Sequence, residues 1–177
     1  MADSLSDLFL SLMNFSPISR VRRNHGLEHA TLNILAVRHP RLPMAGHSDM
    51  SGFWVLGDLS LEDVKSAVEE GLQRLDGGEN QLAIHPNCGT NFVASGILAG
   101  GAASLAWLGV GKRWQEKLER IPLAFSLATL ALIIGQPLGV ILQQQVTTDS
   151  DPGGLQIVEI IPSTRGRLKA HRIITSG

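Results

Sequence analysis

Two long stretches interrupt the usual mixture of apolar and polar positions along this chain. Residues 92–111, FVASGILAGGAASLAWLGVG, and residues 121–142, IPLAFSLATLALIIGQPLGVIL, contain no charged side chain. About 20 helical residues cross about 30 Å of hydrocarbon, and both stretches reach that length. Neither shows the polar face of a helix that packs on a soluble core. The charged link KRWQEKLER between them is short. The pattern predicts two transmembrane helices forming a hairpin within residues 91–143.

Outside the hairpin the periodicity changes repeatedly. In residues 1–15, Leu5, Leu8, Phe9 and Leu12 fall at helical spacing, with Ser4, Asp7 and Ser11 elsewhere. That predicts an amphipathic helix, lying on a membrane surface or packed on the domain, and ended by Pro17. Asn24 is the expected N-cap of a helix to about Val37, whose inner face carries Leu27, Thr31, Ile34 and Leu35. AGHSDMSG reads as a loop and FWVLG as a short buried strand. Ser60 to Asp63 resembles a capping box. It opens a helix with Val64, Ala67, Val68, Leu72 and Leu75 on one face. LAI reads as a brief strand, and LQIVEII and HRIIT as two strands around the basic turn STRGRLK. The expected fold class is α+β: a small soluble domain, residues 16–90 with 146–177, split by the transmembrane hairpin. A two-helix hairpin returns the chain to its starting side, so the two parts can pack together.

Within the spans, Gly96, Gly100 and Ser104 are spaced by four, as are Ala124 and Ala128, and Gly135 and Gly139. Such spacing lets helices approach closely. Gln136 before Pro137 is expected to mark a kink. No acid or base lies inside either span, which argues against a transporter or channel built from one chain.

Composition narrows the function classes. The 177 residues carry a formal net charge of −1, so no global basic field suits nucleic acid. The single cysteine, Cys88, excludes an intrachain disulfide. The N-terminus lacks the basic start and small-residue cleavage site of a signal peptide. Lys112, Arg113, Lys117 and Arg120 favour a cytoplasmic link between the spans. Arg20, Arg22, Arg23 and the basic tail pull the soluble part inward instead, and the expected location is an integral, multi-pass membrane protein with a cytoplasmic domain. The expected partners are the lipid bilayer and a membrane-protein complex.

Two motifs carry candidate chemistry. His25-Gly-Leu-Glu28-His29 reads H-x-x-E-H, and on a helix all three side chains fall within roughly a 100° arc. Two imidazoles one turn apart can chelate one metal, and the carboxylate beside them can be a ligand, an orienter or a general base. The second motif, His85-Pro-Asn-Cys88, has spacing common in zinc-binding loops, with Pro86 stiffening the turn and Gly89 letting it bend. One metal site from His25, His29, His85 and Cys88 is more economical than two coincidences. Mixed nitrogen and sulfur ligands suggest zinc, with iron as the alternative.

HGLEH followed by HPNCGTNF and an apolar helix resembles an uncharacterised bacterial membrane-protein family. Its relatives pair H-G-x-E-H with H-P-x-C-G-T just before a membrane span. GHSD, GENQLAIHPNCGTNF and VTTDSD look closest to a branch described as a domain of unknown function with two membrane helices. The resemblance covers roughly residues 22–177 and points to His25, Glu28, His29, His85 and Cys88. It implies an architecture and no reaction. A looser likeness is to inverted-motif zinc peptidases, but the second acidic motif that completes their site is missing.

Several functions fit these residues. In a membrane-anchored metal-dependent hydrolase, His25 and His29 bind zinc with His85 or Cys88 as third ligand, and Glu28 takes a proton from metal-bound water. His47 or Asp49 would then meet the substrate. In a closed structural site, His25, His29, His85 and Cys88 fill the tetrahedron and leave no place for water. A third reading is a metal-free assembly or interaction module of a membrane complex. A fourth is a Cys88–His85 nucleophilic enzyme.

Overall fold

A computed structural model describes residues 2–166 and 168–177, with residues 2–5 described by their backbone alone. The roles expected of the Ser4 and Leu5 side chains, and of Arg167 in the basic turn, lie outside the described residues. The chain divides into two units, residues 1–85 with 144–177, and residues 86–143. Its class is α+β, helices with a four-stranded antiparallel sheet.

The first unit contains α1 (Ala2–Met13), α2 (Ser16–Arg38), β1 (Ala45–Asp49), β2 (Gly52–Leu56), α3 (Leu61–Asp76) and a 3-10 turn (Asn80–Ala83). After residue 143 it resumes with β3 (Gln156–Arg165) and β4 (Leu168–Ser176). The sheet order is β1-β2-β4-β3, so β4 lies between β2 and β3. Phe53 pairs with Ile173 and Val55 with His171, which sends these side chains to one face. Phe53, Val55 and Ile173 are wholly buried there, with Leu27 and Leu35 of α2 and Val64 and Val68 of α3. Helix α3 matches its pattern: Val64, Ala67, Val68 and Leu75 are buried and Leu72 is partly buried. Its cap is Ser60, whose Oγ accepts from the Asp63 amide at 3.0 Å and donates to the Asp63 carboxylate at 2.7 Å.

Three expected elements differ, each for a local reason. Helix α2 starts at Ser16, eight residues before the expected cap, because Pro17 sits in its first turn, where a missing N–H costs nothing. Asn24 is therefore inside the helix and wholly buried. Its Nδ2 donates to the Asp49 carbonyl at 2.8 Å and its Oδ1 accepts from the Thr175 hydroxyl at 2.7 Å. The GHSD segment is a strand, closed onto β2 by a two-residue turn between Asp49 and Gly52. Gly52 has φ +137°, a value that side chains rarely adopt. LAI belongs to the 3-10 turn rather than a strand. Its carbonyls bond to side chains of α2: Asn33 Nδ2 donates to Leu82 O at 3.0 Å and Ile84 O at 2.9 Å, and His29 takes Ala83 O.

The second unit contains α4 (Gly89–Leu105), α5 (Trp114–Leu118) and α6 (Ile121–Leu142). Helices α4 and α6 pack together with small and polar groups at the seam. Asn91, Ser95, Ala124, Gly135, Gly139 and Gln143 are buried. A Cβ on Gly135 would lie 2.8 Å from Ser95 Oγ, and one on Gly139 would lie 2.9 Å from Asn91 Cα. Gln143 Nε2 donates to Asn91 Oδ1 at 2.6 Å, and Asn91 Nδ2 donates to Pro86 O at 2.8 Å. Phe92, Val93, Ile97, Phe125, Leu130, Ile133 and Ile134 are exposed. The Gly135 and Gly139 spacing is thus used in packing. A Cβ at Gly96 or Gly100 would meet nothing within 4 Å, so that stripe does not face α6.

Among the described residues, one helical stretch, Trp114–Thr147, is long and apolar enough to cross a membrane. The other expected span is shorter than its uncharged run. Helix α4 has 17 residues and gives way to turns that end at Gly109, whose φ is +72°. The last part of the stretch, Gln143–Thr147, is a π-helical turn.

Candidate metal centre

The site is built outward from α2. His25, His29 and Asn33 are spaced by four and share a face of that helix. The rings of His25 and His29 meet edge-on with centroids 4.3 Å apart. His85 follows the 3-10 turn, and its ring centroid lies 5.7 Å from that of His29. All three histidines lie in the first unit.

The Nδ1 atom of each ring is committed to an oxygen. His29 Nδ1 lies 2.8 Å from Ala83 O, and His25 Nδ1 lies 2.9 Å from Thr147 O. A carbonyl oxygen only accepts, so Nδ1 must carry the proton in both rings. His85 Nδ1 lies 2.8 Å from Asn33 Oδ1. In a neutral imidazole protonated at Nδ1, the lone pair is on Nε2, the atom that would meet a metal. Burial, and then the charge of His29, hold His85 below the ordinary histidine value and so favour the neutral, ligating form.

Glu28 points to a different neighbour. It is 4% exposed and lies against β1, where the Ser48 hydroxyl donates to its Oε2. A Cβ on Gly46 would meet the Glu28 carboxylate, so any larger residue there would force that side chain to shift. Burial pushes the Glu28 carboxyl above the ordinary carboxylate range, against the opposing effects of Ser48, His25 and His47. Asp49, a candidate for substrate contact, accepts from Arg172 Nη2 at 2.7 Å and from the Ser51 amide at 2.8 Å. Its carboxylate joins β1 to β4 and to its own turn. His47 is exposed on β1.

Cys88 is buried and precedes α4 in the second unit. Within the first unit, His25 and His29 offer two ring nitrogens that could hold a metal ion. Sequence reasoning selected these residues and Glu28 by type and spacing. It missed Asn33, Ser48 and Gly46, and the carbonyls of Ala83 and Thr147. Only Asn33 left a signal: a poor helix-interior residue, one turn beyond His29, that calls for a reason.

Residues 20–160 match the sequence profile of a family described as a domain of unknown function (DUF6391). An uncharacterized protein of Picosynechococcus sp. is 33% identical over 156 residues, which cover 81% of this chain and 73% of that protein. No solved structure matches the chain.

Proposed function

We propose that this chain, which belongs to the DUF6391 family, is a membrane-anchored, metal-dependent hydrolase. The observation that carries the metal is the anchoring of three imidazoles through Nδ1, on Ala83 O, Thr147 O and Asn33 Oδ1. Second partners of this kind fix the tautomer and aim of metal-binding histidines. His25 and His29 are two ligands, and His85 or Cys88 supplies the third. Zinc is the first choice for such a set, with iron the alternative. Three protein ligands leave a fourth position for water, whose pKa a zinc ion lowers to about 7. Glu28, next to His29 in the chain, is the base assigned to that water.

The burial of His29 and Cys88 favours a second reading, a closed site with all four side chains as ligands and no reaction. Metal content separates the two. Purified protein is analysed for metal as the wild type and as His25→Ala, His29→Ala, His85→Ala, Cys88→Ala and Glu28→Gln. A hydrolase with His85 as third ligand retains metal in Cys88→Ala, one with Cys88 as third ligand retains it in His85→Ala, and in both Glu28→Gln retains metal and abolishes turnover. A closed site loses metal in all four alanine variants. Wild type purified without stoichiometric metal defeats both and leaves the assembly module of a membrane complex.

The anchor in this proposal is the second unit, with two spans. Its polar seam and apolar exterior reverse the arrangement of a water-soluble hairpin, and lipid is the medium that accepts it. Helix α4 alone, at 17 residues, is about 25 Å long, and the turns after it would complete the crossing. The first unit is placed on the cytoplasmic side. Maleimide labelling of single cysteines introduced at Ser150 and Gln115 in intact cells tests this: both inaccessible at position 150 and accessible at 115 is the expected result.

A further inference from the structure

We infer that Asn33 is a positioning residue of the histidine centre, holding His85 in the tautomer that presents Nε2 to the metal. The inference rests on the metal reading above and adds a residue to it. The amide of Asn33 cannot be turned round. Its Nδ2 donates to Leu82 O at 3.0 Å and to Ile84 O at 2.9 Å, two acceptors that only an NH2 group can satisfy. Oδ1 is therefore the atom that faces His85 Nδ1 at 2.8 Å, and the ring nitrogen must donate. Both amide hydrogens and the amide oxygen are used, so the side chain is held by three bonds between α2 and the segment that carries His85. Because His25, His29 and Asn33 are successive turns of one helix, the same rigid element supplies two ligands and sets the aim of the third.

The test compares Asn33→Asp with Asn33→Leu in the full-length chain in detergent micelles. Both variants lose the two donors to Leu82 and Ile84, so both lose the clamp on the 3-10 turn. Only Asn33→Asp keeps an oxygen acceptor for His85. Long-range 1H–15N spectra of histidine-labelled, metal-free protein report the tautomer of His85. Nδ1–H is expected in wild type and Asn33→Asp and lost in Asn33→Leu. Titration with Co(II), followed by its visible absorption, is expected to show affinity about 10–100-fold lower for Asn33→Leu, with Asn33→Asp closer to wild type. Equal tautomers and equal affinities in the two variants would overturn the inference, since a purely structural role is lost equally from both. An unchanged His85 tautomer in Asn33→Leu would overturn it as well. If the tautomer responds but wild type takes up no Co(II), the metal reading fails and Asn33 is left as a structural clamp.

Discussion

Gly26, within α2, and Gly46, on β1, are each crowded by a neighbour, and substitution should separate them. A Cβ at Gly46 would meet the Glu28 carboxylate, and one at Gly26 would lie 2.1 Å from the backbone oxygen of Asp149. A side chain can rotate at a cost, but a backbone oxygen moves only with its segment. Gly46→Ala is expected to lower the unfolding free energy by about 1–3 kcal/mol, and Gly26→Ala by more. Denaturant unfolding of both variants checks the order. His171, buried on β4, gives a pH dependence. Burial, and then Lys169, hold it below the ordinary histidine value. The unfolded chain therefore takes up a proton there before the folded chain does. Its contribution to stability is complete above about pH 6.5 and is lost as pH falls from there through the lower folded-state value. Wild type should lose more stability than His171→Leu between pH 7.5 and 5.5, and equal losses would refute the assignment. At this scale the sequence was readable where a pattern is written in side-chain types, as in the H-x-x-E-H run of His25, Glu28 and His29. It was silent where the partner is a backbone atom from a distant segment, as at Gly26, or a strand not yet recognised, as at Gly46.

At the scale of elements, the seam between α4 and α6 makes the sharpest expectation. Gly139→Leu would drive a side chain into Asn91, whereas at the sites of Gly96→Leu and Gly100→Leu an added Cβ meets nothing within 4 Å. The first should lower the thermal unfolding temperature in micelles clearly, and the other two should change stability by no more than about 0.5 kcal/mol. Equal effects at the three sites would place the helix contact elsewhere. Legibility follows the same division. Helix α3 was readable because one face is solvated and the other buried, so its pattern and its cap agree. The start of α2 was not, because Pro17 serves equally to stop one helix and to begin the next. The 3-10 turn was mistaken for a strand because its hydrogen-bond partners are Asn33 and His29, which no local pattern announces.

For the whole molecule, the membrane assignment has a direct check. Alkaline carbonate should leave the full chain in the membrane pellet, and release into the supernatant would sink the anchored reading. The two uncharged runs were plain in the sequence, whereas the early end of α4 at Leu105 was not. The sheet was legible in β2, β3 and β4 but not in β1 or in its order. That order sets a timetable. β4 completes the sheet between β2 and β3, yet about 110 residues, including all of the second unit, are made between the end of β2 and the start of β4. At ordinary rates of synthesis this is on the order of ten seconds. During that interval Phe53 and Val55 lack their β4 partners Ile173 and His171, and one edge of β2 is an open template for any passing strand. The nascent chain is therefore most vulnerable to aggregation late in translation, just before its last strand emerges.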